Sequence, residues 1–376
     1  MTTSTRLRAG DAAVTVVSNT ASVTDWSQRY FGSWWNAATE PGAGSGGGSC
    51  VHADVDQNAV DSIAMAVASR QHRAVVYAKA TTFVTDDEED TILAVSPAQR
   101  IAYRSEPDTG QFTVTGPDPH EVALAAARLA REAIRGQLLA AGWAVVHASA
   151  VVRDGQAVLA FGDKGAGKTT TALLLARAGW ELLANDRVFA RATPSGTAVL
   201  PWPAAAAVGL GLLDSLGWYD RARTRLQAGE QLHPTQDQRV TDALLAGSRE
   251  PLWEKDGHRE LKAQVFPDQF LGWFGLRLAT SGHAARLLFP RVHPIADPAL
   301  VEADRGLDDR DFMSGATEDR YPDIFGLARG LDPGGQPDAR TQLARGLGAV
   351  PHSHFVLGHD AAANGDFLSS VVDAST

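Results

Sequence analysis

Cysteine is nearly absent from this chain: Cys50 is the only one in 376 residues, which excludes an internal disulfide and a thiolate metal site. Long apolar runs are missing as well. No segment approaches the roughly 18 consecutive apolar residues of a membrane-spanning helix. The opening MTTSTRLRAGDAAVT lacks the continuous apolar core of a signal peptide. A basic excess is also lacking, since the formal net charge is -10 with histidine neutral. That balance argues against nucleic acid or an anionic membrane as partner. The expectation is a cytoplasmic protein. Lysine is scarce too, occurring only at Lys79, Lys164, Lys168, Lys255 and Lys262, so each retained lysine carries more information than usual.

What is present is an ordinary apolar fraction of 44%, enough to bury a sizeable core. The first forty residues mix short apolar runs with Tyr30, Phe31, Trp34 and Trp35, and Gly42 to Ser49 reads as a flexible loop or linker. β-rich runs follow at RAVVYAK (73–79), IAYRS (101–105) and QFTVT (111–115), with the acidic cluster Asp86–Asp90 as a solvated loop between them. These features predict a small mixed α/β or β-rich domain over residues 1–117 and a second domain over 118–376.

The second domain opens on a helix signature: Asp118 as cap, Pro119 in the first turn, Glu121 at capping-box spacing and Gly142 as the stop. A strand is expected at Ala144–Ala150 and a buried one at AVLAF (157–161). A helix then runs from about Lys168 to Ala178, stopped by Gly179, and the strand ELLA ends at Asn185–Asp186, resuming as RVFAR after a bend. Between strand and helix lies Gly162-Asp163-Lys164-Gly165-Ala166-Gly167-Lys168-Thr169, which matches G-x-x-x-x-G-K-[ST]. Each part has a task on a nucleoside triphosphate. The glycines let successive N–H groups turn inward as an anion nest, and the helix adds its positive end. Lys168 can reach the β- and γ-phosphates, the Thr169 hydroxyl can ligate Mg²⁺, and Thr170 continues the first turn. Asp186, ending the next apolar strand, can hold Mg²⁺ or accept a proton from an acceptor hydroxyl; the alternative is a turn cap. His147, alone at a strand end, reads on its own as a structural residue.

The string from His147 to Val188 resembles the catalytic core of HPr kinase/phosphorylase and its smaller bacterial relatives, some of which phosphorylate peptides in natural-product clusters. The match covers about residues 143–190, roughly an eighth of the chain, and continues loosely through LLFPRV (287–292) and VPHSHFVLGHD (350–360). The resemblance implies an α/β P-loop kinase core like that of HPr kinase and phosphoenolpyruvate carboxykinase. It implies ATP and Mg²⁺ as cofactors and assigns Gly162, Gly165, Gly167, Lys168 and Thr169 to the nucleotide. Asp186 becomes the second member of an acidic pair, and His147 its contact. Relatives supply a cation to the transferring phosphate from the segment that holds Arg259 and Lys262 (GHRELKAQVF), for which a solvated face is the alternative. They often assemble, which leaves a homo-oligomer open.

Three departures stand out. Position 185 is Asn where the family usually has Asp, which leaves the division between general base and metal ligand open: Asp186 can do both, with Asn185 only hydrogen-bonding. Lys164 replaces a common Ser. The stretch AAAVGLG (205–211) stands where HPr kinase carries a Glu-x-Arg-Gly metal segment, which weakens HPr itself as substrate. Trp202, Trp218, Tyr219, Trp253, Trp273 and Phe274 read as core or as walls of an acceptor pocket. His352, His354 and His359 fit strand positions better than a zinc site. The leading expectation is an ATP-dependent kinase acting on a hydroxyl of a small molecule or peptide. An NTP hydrolase or carboxykinase-like enzyme, a nucleotide-sensing regulator, and an HPr-type protein serine kinase remain alternatives.

Overall fold

A computed structural model of the chain describes residues 2–40, 48–85, 91–257, 259–313 and 322–374. The acidic cluster Asp86–Asp90 and most of the Gly/Ser stretch, 42–47, lie outside the described residues. The fold is mixed α/β, built on mixed sheets, in two units: 1–144 with 313–339, and 145–312 with 340–376. The division therefore falls near Ala144 rather than at 117, because the helix expected to open the second domain packs within the first unit.

The first unit holds strands β1 (Thr3–Ala9), β2 (Ala12–Ser18), β3 (Ala38–Thr39), β4 (Ser49–Val55), β5 (Arg73–Tyr77), β6 (Ala80–Thr85), β7 (Ile92–Ser96), β8 (Ile101–Glu106) and β9 (Gln111–Gly116). They form one sheet in the order β3-β1-β2-β4-β9-β8-β7-β6-β5. The pairs β2–β4 and β4–β9 are parallel, so this sheet is mixed. Helix α1 (Ala21–Phe31) packs with β1 and β2, and α2 (Gln57–Ala68) lays Val60 and Val67 on Leu93, Val95 and Ala102. Helix α3 (Pro119–Ala140) starts as the sequence predicts, with the Asp118 carboxylate accepting from the His120 and Glu121 amides. It ends where the Gly142 and Trp143 amides donate to Leu139 and Leu138 carbonyls, the glycine-stopped helix end. It packs on α1, β2 and β4. Its apolar stripe says only that one face is buried; packing decides against which sheet. Cys50 is buried on β4, and burial pushes its thiol up to about 11.

The second unit holds β10 (Ala144–Val146), β11 (Ser149–Arg153), β12 (Gln156–Ala160), α4 (Lys168–Arg177), β13 (Glu181–Ala184), β14 (Val188–Thr193) and β15 (Gly196–Pro201). An aromatic-rich stretch follows, with β16 (Ala206–Val208), α5 (Leu210–Ser215), α6 (Tyr219–Gln227), α7 (Gln238–Ala246), β17 (Leu252–Trp253), β18 (Glu260–Leu261), β19 (Ala263–Val265) and α8 (Pro267–Phe274). Then come β20 (Gly282–Val292), β21 (Ala299–Leu300) and β22 (His352–Leu357). The main sheet runs β10-β14-β15-β20-β12-β11-β13, with β22 also on β20. The strand expected at 144–150 is two strands, since the chain bends at His147–Ala148, where the His147 amide leaves the ladder for the Asp311 carbonyl.

Orientation decides what meets at one end of this sheet. β12 and β13 are each antiparallel to the β11 between them, so they run the same way. β20 is parallel to β12, and β22 to β20. The carboxyl ends of β12, β13, β20 and β22 therefore share one end with the amino end of β11, the end where α/β sheets present ligand-binding loops. Membrane-spanning geometry is absent in one specific sense: no helix among the described residues is long and apolar enough to cross a bilayer.

Candidate functional site

The glycine loop leaves β12 at that shared end and enters α4. Gly162, Gly165 and Gly167 all have positive φ, at 145°, 86° and 103°, values that L side chains rarely adopt. Gly167 stands at the N-cap of α4, and no side chain caps the first amides there. The helix itself follows from its Ala/Leu content and buries Thr171 to Ala176. Gly179 stops it, with the Gly179 and Trp180 amides on the Ala176 and Leu175 carbonyls.

Lys168 folds back over the loop, its Nζ 2.5 Å from the Gly162 carbonyl and 3.3 Å from that of Asp163. Burial lowers its pKa, while Asp186, Asp163 and Asp311 oppose the shift. Lys164 is exposed, Ala166 is half-buried, and Asp163 is largely exposed, 3.8 Å from Arg310. Thr169 Oγ1 lies 3.4 Å from the Asn185 carbonyl, which also accepts from Ser149 Oγ at 2.5 Å. Thr170 is half-buried in the first turn of α4.

The acidic-pair positions differ sharply in exposure. Asn185 is buried, whereas the Asp186 side chain is 57% exposed, 3.7 Å from Arg187 Nε. Asp186 follows β13, which places it at the same sheet end as the loop. His147 stands at this end too, just ahead of β11 and half-buried.

Arg259 and Lys262 find partners inside their own segment: Arg259 lies 3.4 Å from Glu254 and Lys262 3.6 Å from Glu260. Most of the aromatics expected as core or pocket wall are core. Trp202 packs on Phe189, Trp218 stacks on Phe274 at 4.6 Å, Tyr219 donates to the Ser248 carbonyl, and Trp273 Nε1 donates to Glu230. Trp253 alone of that set stays largely exposed. His354 stacks on Phe289 and lies T-shaped to His352.

One group at this end escaped the sequence reading. Asp311 is almost fully buried; Oδ1 accepts from Arg305 Nη2 at 2.8 Å and Oδ2 from the Asp308 amide at 3.0 Å. Its carbonyl accepts from the His147 amide at 2.7 Å, and Val146 bridges to Phe312 beside it. The stretch RGLDDRD (305–311) has neither apolar period nor motif, so only the fold could bring it to the loop.

A comparison with protein-family models gives no match, and a comparison with curated proteins gives none either.

Proposed function

We propose that the chain is an ATP-dependent kinase with an HPr-kinase-like P-loop core, transferring the γ-phosphate to a hydroxyl of a small molecule or peptide. The observation that carries this reading is the meeting of the glycine loop, the uncapped start of α4 and the exposed Asp186 at one sheet end. The residues fit a polyphosphate. Three glycines of positive φ and the uncapped first amides of a helix suit an anion nest, and a half-buried lysine folds back over the loop. They also fit Mg²⁺ held in the usual way, by few protein oxygens plus phosphates, through Thr169 and Asp186. When bound, the ion neutralises charge on the phosphate oxygens.

In this reading Lys168 unfolds from the Gly162 carbonyl onto the β- and γ-phosphates. Asp186 accepts the proton that the acceptor hydroxyl loses as its oxygen bonds the γ-phosphorus and the bridge to ADP breaks. Asn185, buried with its carbonyl engaged, holds the strand end rather than the reacting atoms. His147, just ahead of β11, orients the same sheet end.

The test is incubation with γ-labelled ATP, Mg²⁺ and a metabolite or peptide extract. Label on an acceptor supports the reading, and label released only as free phosphate overturns it in favour of a hydrolase. Asp186→Asn is expected to lower transfer by roughly a hundredfold or more while ATP binding stays near that of the parent. An active Asp186→Asn enzyme would remove Asp186 from its role.

A further inference from the structure

We infer that Arg305 is a second cation of the phosphate site, reaching the terminal phosphate of a nucleoside triphosphate through Nη1, with Asp311 as the positioning residue that aims it. The inference rests on the nucleotide reading above. It starts from one atom: Arg305 Nη1 is buried and has no hydrogen-bond partner among the described residues. A buried charged donor left unpaired is costly, and native folds rarely keep one without a use.

The rest of the side chain is held firmly. Nη2 is fixed by the Asp311 carboxylate at 2.8 Å. The guanidinium lies over the Phe289 ring, 4.9 Å from its centroid, and His354 stacks on the same ring at 4.8 Å. The same histidine donates from Nε2 to the Arg305 carbonyl at 2.7 Å, pinning the backbone. One edge of a planar fork is thus occupied and another nitrogen is left to a ligand, the arrangement in which arginine recognises phosphate oxygens.

Position favours the loop as the destination. Phe289 follows Leu288, whose carbonyl accepts from the Phe161 amide, the last residue before Gly162. Phe161 and Phe289 stack at 6.0 Å, so Arg305 lies over the strand beside the loop's root. Arg310, on the same segment, approaches Asp163 in the loop itself. Charge supplies the last reason: a triphosphate brings about four negative charges, more than Lys168 alone can balance.

The experiment is a titration of Mg²⁺–ATP and Mg²⁺–ADP against the full-length protein and three variants, Arg305→Gln, Arg305→Lys and Asp311→Asn. Thermal melts check that each folds. Arg305→Gln is expected to weaken ATP by roughly ten- to a hundredfold and ADP by less than about threefold, because ADP lacks the contacted phosphate. Arg305→Lys, which keeps charge and stem, should recover part of the loss and serves where the Gln variant does not fold. Asp311→Asn should shift the ATP-to-ADP ratio the same way, by less. Equal losses for both nucleotides, or none, would overturn the inference and leave the kinase reading standing. Wild-type protein that prefers ATP through Arg305 yet labels no acceptor would overturn the kinase reading alone. Wild-type protein that binds neither nucleotide overturns both.

Discussion

Lys168 Nζ sits 2.5 Å from the carbonyl oxygen of Gly162, the first glycine of its own loop. The contact holds a cation in a half-buried place before any phosphate neutralises it, and burial accordingly lowers its pKa. A positive group kept this way is a cost to the fold, and under the proposed function a bound phosphate would offset it.

Lys168→Met should therefore lose nucleotide binding without losing stability. The sign follows from linkage. With the folded pKa below the ordinary 10.5, the unfolded chain holds the proton more tightly. Wild-type stability relative to the Met variant is then lowest at neutral pH. It rises as pH passes through the lowered value toward 10.5. Paired thermal melts across that range check it; a difference that shrinks or stays flat with rising pH contradicts the burial argument.

Glu132 in the first unit offers a separate test of the fold. Its carboxylate takes Arg131 Nε at 3.2 Å and Arg135 Nη1 at 2.8 Å, and all three side chains are at most 10% exposed. Arg135 also donates to the Pro333 carbonyl, tying α3 to the segment after Met313. Glu132→Gln removes the charge shared by two buried guanidinium groups and should cost about 3 kcal/mol. Denaturant unfolding measures the loss, and a change under about 1 kcal/mol would show the pair to be solvated.

The sequence was most legible where structure is local. The strand, glycine loop, helix and strand from 156 to 184 lie within a residue or two of the expected bounds, because alternation, glycine stops and an Ala/Leu helix all act over a few residues. The caps of α3 were equally plain, yet its membership in the first unit was not, since the stripe Val122, Leu129, Ile134 and Leu138 does not name its partner sheet. Asp311 and Arg305 could not be found at all. Asp311's place beside His147, with Arg305 on its carboxylate, depends on the segment after β20 crossing to the amino end of β11, a long-range closure that no local pattern encodes.

Gly165 and Gly167 allow the loop's two sources of constraint to be separated. Both have positive φ, 86° and 103°, so an alanine at either carries the left-handed penalty of about 1–2 kcal/mol. Their surroundings differ. A Cβ at Gly165 would meet nothing within 4 Å, whereas one at Gly167 would lie 2.9 Å from Val292 Cγ2. Valine is stiff at χ1 and cannot turn the methyl away cheaply. Gly167→Ala should accordingly destabilise by about 1 kcal/mol more than Gly165→Ala. Adding Val292→Ala should recover that excess for Gly167→Ala and nothing for Gly165→Ala, a coupling that a double-mutant cycle of unfolding free energies reads directly. Equal behaviour of the two glycines would mean that conformation alone sets the loop, and that the end of β20 does not brace it.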